Sequence, residues 1–382
     1  MRKRGIFSLW RTILRPRATL LSSHRLISME LFDWMARGGH DRLLAVQDSA
    51  SGLRAWIALH EVTRGPAYGG IRVWHYRTES EAAMDALRLS KAMTIKCVLA
   101  GVRGGGGKTV VLANELKDRA AAVEVLGREI EALGGVYRTG PDAGFTLADQ
   151  QALARTTRWG VCHAPELRPS GEATAEGALW GLKAGLRALG ENSLSGIRVA
   201  IQGLGAVGLV LARRLQESGA DVVAADTSSE ACEKGVALGI DLVDPGDILA
   251  QECDVLAPCA LGGVLHDLSI PRLHTRMVAP CANNTLAGPN NAAQLDALGV
   301  LYLPDFVLNA GALIEGAGHD ASGQSDWEKE LRGIGDTVTE VIRRARADSC
   351  STLKAARHLA SEMLADEKSL EVPAEVAEPV GA

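Results

Sequence analysis

Apolar positions recur along this chain with changing periods, and each period marks a different kind of element. Alternation over 43–47 and 53–59 predicts two strands, and the polar Asp-Ser-Ala-Ser-Gly run at 48–52 predicts a hairpin joining them. Helical spacing over 82–99, opened by Thr78-Glu-Ser-Glu81 as a capping box, predicts a long helix ending near Leu99. A strand at 109–113, a helix at 115–133, a strand at 136–139 and a helix at 146–157 then complete a mixed α/β unit.

A different texture begins after a helix over 175–189. Residues 197–202 and 221–226 are short, largely apolar runs of the kind a buried parallel sheet uses, with a helix ending at Ser218 between them. Helices over 327–346 and 351–365 follow, and the last residues form an aperiodic Pro/Glu/Ala tail that cannot build a core. The expected organisation is a leader at 1–28, a first domain at 29–165, a second at 166–310, C-terminal helices at 311–366 returning to the first domain, and a disordered tail at 367–382.

Composition narrows the partners. The formal charge of -5 over 382 residues conceals an asymmetry: residues 1–28 hold seven Arg/Lys and no acid. The remainder carries 34 basic against 46 acidic residues, which argues against nucleic acid as a partner of the body. The basic head resembles a transit peptide, but ordered patterning starts at Met29, so a loose leader is the expectation. No apolar run is long enough to cross a bilayer. The seven cysteines form no metal-ligand spacing and read as small hydrophobes in a reducing, cytoplasmic compartment.

The candidate chemistry starts at Gly203-Leu-Gly-Ala-Val-Gly208, between a strand and a helix, with Asp226 ending the next strand. That context is what a dinucleotide-binding turn requires. Gly203 allows the tight turn, Gly205 lets the backbone approach a pyrophosphate, and Gly208 lets helix pack on strand. Asp226 can accept hydrogen bonds from ribose hydroxyls and would repel a 2′-phosphate, so NAD is the expected cofactor.

A second glycine-rich stretch, Gly101-Val-Arg-Gly-Gly-Gly-Gly-Lys-Thr109, ends like a phosphate loop. Its spacing fails: the glycine needed five residues before Gly107 falls on Val102, and a helix rather than a strand precedes it. The stretch reads instead as a glycine-rich turn carrying Lys108, near Lys96 at the end of the preceding helix and Asp142 after a strand.

In order and spacing, GPAYGGIR (65–72), AMTIKCVLAG (92–101), GGGKTV (105–110), GPDAG (140–144), QGLGAVG (202–208), APCALGGVL (257–265), CANNTL (281–286) and PDFVLNAGALI (304–314) carry a resemblance. The chain resembles the glutamate/leucine/phenylalanine/valine dehydrogenase family over nearly its whole body, closest in pattern to leucine and phenylalanine dehydrogenases. The resemblance implies an α/β fold of two domains, an N-terminal catalytic and oligomerisation domain and a Rossmann-type NAD domain, in a homo-oligomer. It implies Lys108 as general base, Asp142 as proton carrier, and Lys96 with Asn284 as carboxylate-binding groups. It also implies substrate contacts at Gly69, Met93, Tyr68, Gly140, Val307, Leu313 and Gly316. Cofactor contacts are implied at Thr174, Cys259, Ala260, Leu261 and Asn284, and at Gly203, Leu204, Gly205, Ala206, Val207, Gly208 and Asp226; no metal is implied.

The implied reaction converts an amino acid to a 2-oxo acid and ammonia. Glutamate-type relatives carry lysine where this chain has Tyr68, so glutamate is disfavoured: a buried carboxylate without a partner is costly. Gly140 and Gly316 suggest a roomy apolar pocket, and a phenylalanine- or tryptophan-specific enzyme is the alternative to a leucine/valine/phenylalanine type. A catalytically silent dinucleotide binder would have lost one of Lys96, Lys108 or Asp142, and all three are present.

Overall fold

The computed structural model describes residues 31–160 and 167–371. The expected leader and the expected tail from residue 372 on lie outside the described residues, while 367–371, expected as part of that tail, continue the last helix. After a short helix, α1 (Leu31–Gly38), come β1 (Arg42–Asp48), β2 (Leu53–Leu59), β3 (Ala67–Trp74), β4 (Gly105–Leu112) and β5 (Tyr137–Pro141), joined as one sheet in the order β1-β2-β4-β3-β5. The expected hairpin forms, with Asp48 opposite Leu53. β2 and β4 are antiparallel, whereas β4, β3 and β5 run parallel.

The pleat divides this sheet into two faces with different tasks. Leu53, Ala55, Ile57, Ile71, Val73, Val111 and Tyr137 point to one face, where they bury against α3 (Arg119–Ala132) and α4 (Leu147–Ala154). Ala58, Val110 and Leu112 point to the other, against the first turns of α2 (Glu79–Leu99). Positions of the same parity nearer the strand ends, namely Tyr68, Gly70, Arg72, Lys108, Arg138 and Gly140, therefore share the α2 face. Alternation thus gathers the ionic side chains on one side of the sheet.

The second sheet is parallel throughout: β6 (Arg198–Gln202), β7 (Asp221–Ala225), β8 (Asp241–Leu242), β9 (Val255–Pro258), β10 (Met277–Val278) and β11 (Leu301–Tyr302), in the order β11-β10-β9-β6-β7-β8. It is preceded by α5 (Ser170–Ala188) and interleaved with α6 (Gly208–Glu217), α7 (Ser229–Ala237) and α8 (Asn291–Ala297). Strand order reverses between β6 and β9, and the crevice beyond their carboxyl ends is where such sheets hold ligands. Four helices end the described residues: α9 (Asp305–Leu308), α10 (Gly311–Ser322), α11 (Glu328–Ala347) and α12 (Thr352–Glu371). α11 lies along α5, where Gly177 and Gly181 leave room for Ile334 and Leu308, and α12 packs on α2.

Several sequence expectations shift. The expected glycine-rich turn is in fact strand: Gly105, Gly106 and Gly107 belong to β4. A Cβ on Gly107 would lie 2.7 Å from the Tyr137 ring, and one on Gly106 would overlap the Ser90 carbonyl of α2. Those glycines exist because the neighbours press against the strand. Residues 67–74 carry no strand expectation, because Gly69-Gly70 interrupts their alternation, yet they form β3. α3 starts at Arg119 rather than 115 because the Asp118 side chain caps it. α5 starts at Ser170, well before 175, with no side-chain cap to announce it. Half of the Thr78 capping box forms: Thr78 Oγ1 accepts from Glu81 N–H, while Glu81 accepts from Arg77 N–H instead of the cap residue.

Candidate active site

Four elements deliver the site. Lys96 comes from the last turn of α2, Lys108 from β4, Arg72 from β3, and Asp142 from the residue that follows β5. Lys108 Nζ lies 2.8 Å from Asp142 Oδ2, and Arg72 Nε donates to the same oxygen at 2.9 Å. Lys108 is 5% exposed. Burial is the largest influence on its ammonium and depresses it below the ordinary lysine range, against the pull of Asp142. The cause is desolvation first, and the cation that adds to it is Arg72.

Lys96 is pushed down to about 8, again chiefly by desolvation, with Asp305 at the start of α9 as the main opposing charge. Burial alone would raise the Asp142 carboxyl, but Lys108 and Arg72 outweigh it and hold the group below the usual carboxylate range. Asp305 is the converse: desolvation raises it despite hydrogen bonds from backbone N–H groups, including Thr285 and Phe306. The site thus contains a lysine poised to lose its proton beside a carboxylate poised to keep none.

A cleft of about 1350 Å³ runs from Asp142 and Arg72 past Asn283 and Asn284 to Cys259, Ala260 and Leu261, with α2 and α12 along its rim. Asn284 holds a left-handed backbone, φ 53°, a conformation asparagine tolerates better than most residues. The glycine loop adjoins it at the switch point. Gly203 has φ +99° and a Cβ there would lie 2.6 Å from that of Ala260, whereas a Cβ on Gly205 would meet nothing within 4 Å. Asp226 accepts from Leu204 N–H at 2.7 Å and from Ser228 N–H at 2.8 Å, which shapes the loop. The open space above Gly205, flanked by Leu204, Ala206 and Val207 and backed by Gly208 at the start of α6, fits a dinucleotide pyrophosphate at a helix N-terminus.

The remaining candidates are spread over both domains. Tyr68 and Val307 are buried in one apolar cluster against which Leu313 packs. Gly140 pairs with Gly70, and Gly316 follows Leu313 on α10, one turn before Asp320. Thr174 is buried on α5, its hydroxyl donating to Ser170 O. Gly69 lies on the opposite parity from the ionic face; its Cβ would overlap the Gly107 carbonyl, and its own carbonyl accepts from Tyr137 Oη–H. Met93 is part-buried on α2 and does not line the cleft. Among the described residues no group of three or more His, Cys, Asp or Glu is placed to hold a metal.

Sequence reasoning missed Arg72, Asp85, Asp305 and the pair formed by Arg138 and Asp320. Arg72 carried a findable signal: once 67–74 is accepted as strand, its parity sets it beside Lys108. Asp320 carried none. Its Oδ2 accepts from Tyr68 Oη–H at 3.1 Å and from Arg138 Nε at 2.8 Å, contacts spanning 252 and 182 residues of sequence.

Comparison with known proteins follows the same division of the chain. Residues 40–159 match the family described as Glu/Leu/Phe/Val dehydrogenase, dimerisation domain, and residues 168–235 match Glutamate/Leucine/Phenylalanine/Valine dehydrogenase. The chain is 40% identical over 343 residues to leucine dehydrogenase of Geobacillus stearothermophilus, covering 88% of this chain and 94% of that one. It is 36% identical over 331 residues to phenylalanine dehydrogenase of Lysinibacillus sphaericus, covering 83% and 86%. The crystal structure of L-tryptophan dehydrogenase from Nostoc punctiforme superposes with a TM-score of 0.78 at 33% identity, covering 88% and 99%. The chain belongs to the glutamate/leucine/phenylalanine/valine dehydrogenase family and is an amino-acid dehydrogenase.

Proposed function

We propose that the protein oxidatively deaminates an apolar L-amino acid to its 2-oxo acid and ammonia, reversibly, with NAD as the partner. The observation that carries this reading is the Lys108–Asp142 pair, buried on the α2 face next to Lys96, with Asp142 lining the cleft whose wall at Ala260 backs onto Gly203. NAD supplies the acceptor for the α-hydrogen as hydride; its adenosine ribose is matched by Asp226 and its pyrophosphate by the loop 203–208.

Lys96 and Asn284 hold the substrate carboxylate, and Asp142 holds its amino group. Neutral Lys108 takes a proton from the water that adds to the iminium carbon, giving a carbinolamine. Lys108 passes that proton through Asp142 to the amino group of the adduct and is neutral again. Ammonia departs as the carbinol O–H releases its proton to the lysine, and the 2-oxo acid remains. Because the base must be neutral, kcat/KM should rise with pH through a Lys108 titration displaced below the ordinary lysine range. A flat profile there would remove Lys108 from this role.

The substrate side chain would lie against Tyr68, Val307 and Leu313. Arg138 is the nearest cation to that end, but Asp320 already neutralises it, so a γ-carboxylate finds no free partner. A second reading, preference for a bulky aromatic amino acid, is favoured by the likeness to L-tryptophan dehydrogenase and by the glycines at 140 and 316. Homo-oligomer formation through the first domain is part of the proposal, since residues 40–159 match a dimerisation domain. Cytoplasmic residence is proposed as well; no helix among the described residues is long and apolar enough to cross a membrane. Steady-state rates with NAD across leucine, valine, phenylalanine, tryptophan and glutamate test the proposal. Phenylalanine should be used at least comparably to valine. Turnover of glutamate at a similar rate would overturn the apolar pocket.

A further inference from the structure

Asp142 does not meet Lys108 as an isolated ion pair. One oxygen, Oδ2, is shared by Lys108 Nζ at 2.8 Å and Arg72 Nε at 2.9 Å. Arg72 is anchored in turn: its Nη1 donates at 3.1 Å to Asp85 Oδ2, which also accepts from Tyr76 Oη–H at 2.7 Å. Arg88 donates to the other Asp85 oxygen at 2.7 Å. The side chains of Arg72, Asp85 and Asp142 retain only 19%, 16% and 20% of their exposure, so these charges act across a poorly screened gap.

We infer that Arg72 is a positioning residue: held by Asp85, it fixes the carboxylate of Asp142 against Lys108 and sets which member of that pair carries the mobile proton. The inference rests on the proposed role of Lys108 as base. A guanidinium stays charged at any working pH, and its planar fork can face two carboxylates at once. Arg72 therefore keeps Asp142 anionic while opposing a proton on Lys108. Asp85 works the other way, offsetting the Arg72 charge and favouring the lysine ammonium. The charged and titratable groups around the pair are Arg72 and Tyr76 from the β3 side, Asp85, Arg88 and Lys96 from α2, Tyr137 from β5 and Asp305 from α9. From outside the pair, Arg72 opposes a proton on Lys108 and Asp85 favours it, while Lys96 and Lys108 oppose each other's charge. Burial lowers the lysine further, as described above.

Opposite signs give a test that general loosening cannot imitate. The pH dependence of Lys108 labelling by acetic anhydride, read by peptide mass spectrometry on the intact protein, reports its titration without any turnover. Arg72→Gln should move that titration to higher pH, with labelling at neutral pH slowed roughly three- to tenfold. Asp85→Asn should move it to lower pH. With L-leucine and NAD, the rising limb of kcat/KM should move with the labelling curve in each variant. Arg72→Lys, which keeps the charge without the fork, should hold the limb near its parent position while kcat falls roughly tenfold. An unmoved labelling curve in both Arg72→Gln and Asp85→Asn, or shifts of the same sign in both, would overturn the inference. If Arg72→Gln does not fold, the sign of the Asp85→Asn shift decides it alone. If labelling shifts as stated but no amino acid is turned over with NAD, the proposed function fails and the electrostatic role of Arg72 stands.

Discussion

Two glycine-rich stretches, 104–107 and 203–208, differ in what their missing side chains admit. In β4 the missing Cβ atoms are spaces already filled by protein: the Ser90 carbonyl and Thr94 of α2 press on Gly106, and the Tyr137 ring presses on Gly107. In the second stretch Gly205 faces open space, while its neighbour Gly203 adopts a positive φ to turn the chain. The β4 glycines let protein approach protein, as Gly203 and Gly208 do; Gly205 alone leaves space, and on the proposed function that space takes a ligand. A glycine motif therefore has to be read with the element it belongs to, because its composition is silent on which neighbour the absent side chain admits.

The comparison can be broken most severely at Lys108, the first residue after the β4 glycines. Lys108→Ala should lower kcat by roughly a hundred- to ten-thousandfold while the NAD dissociation constant, measured by fluorescence titration, stays within about twofold. A large loss of NAD affinity would make β4 part of the cofactor site and erase the distinction. The next test exchanges the two glycines. Gly106→Ala forces the α2 backbone to move, so the protein should lose roughly 3 kcal/mol or more of stability in a denaturant titration. Gly205→Ala should leave stability unchanged and weaken NAD binding roughly tenfold, because its Cβ occupies the space the pyrophosphate needs. Equal stability losses in the two would sink the contrast.

Asp226→Ala should raise kcat/KM for NADP relative to NAD, by roughly tenfold, once the charge that repels a 2′-phosphate is gone. An unchanged ratio would mean that Asp226 serves only the loop hydrogen bonds to Leu204 and Ser228. The smallest effect is expected in the side-chain pocket. Gly316→Val should shift the kcat/KM ratio of leucine to phenylalanine toward leucine, by a factor of roughly three to ten, since added branching opposes a ring more than an aliphatic chain. A fixed ratio removes Gly316 from the pocket wall.

Much of the fold was legible because period and punctuation agreed. The hairpin at 48–52 had alternating flanks and a polar turn, and Gly203–Gly208 had strand, helix and acid in the required order. What escaped the sequence escaped for specific reasons. β3 is broken by Gly69-Gly70, whose role is close approach rather than a turn. β8, β10 and β11 are two residues each, too short to show any period. In the site, Lys96, Lys108 and Asp142 were recognisable by pattern, but the arginine that shares the carboxylate was not. Arg72 became visible only when a strand parity and a distance were available. Asp305 and Asp320 act across hundreds of residues, and no local pattern encodes such a contact.

The packing of α12 on α2 also has a consequence for biosynthesis. The helix that bears Lys96 is complete by residue 99, yet the helix that covers it begins at Thr352, 253 residues later. At ribosomal rates of about 5–20 residues per second, that interval lasts roughly 13–50 seconds. Throughout it the parallel sheet can assemble, while the apolar flank of α2 waits for a cover that has not been made. A nascent chain halted before residue 352 would thus present the ribosome's surroundings with a finished dinucleotide module joined to an unfinished catalytic one.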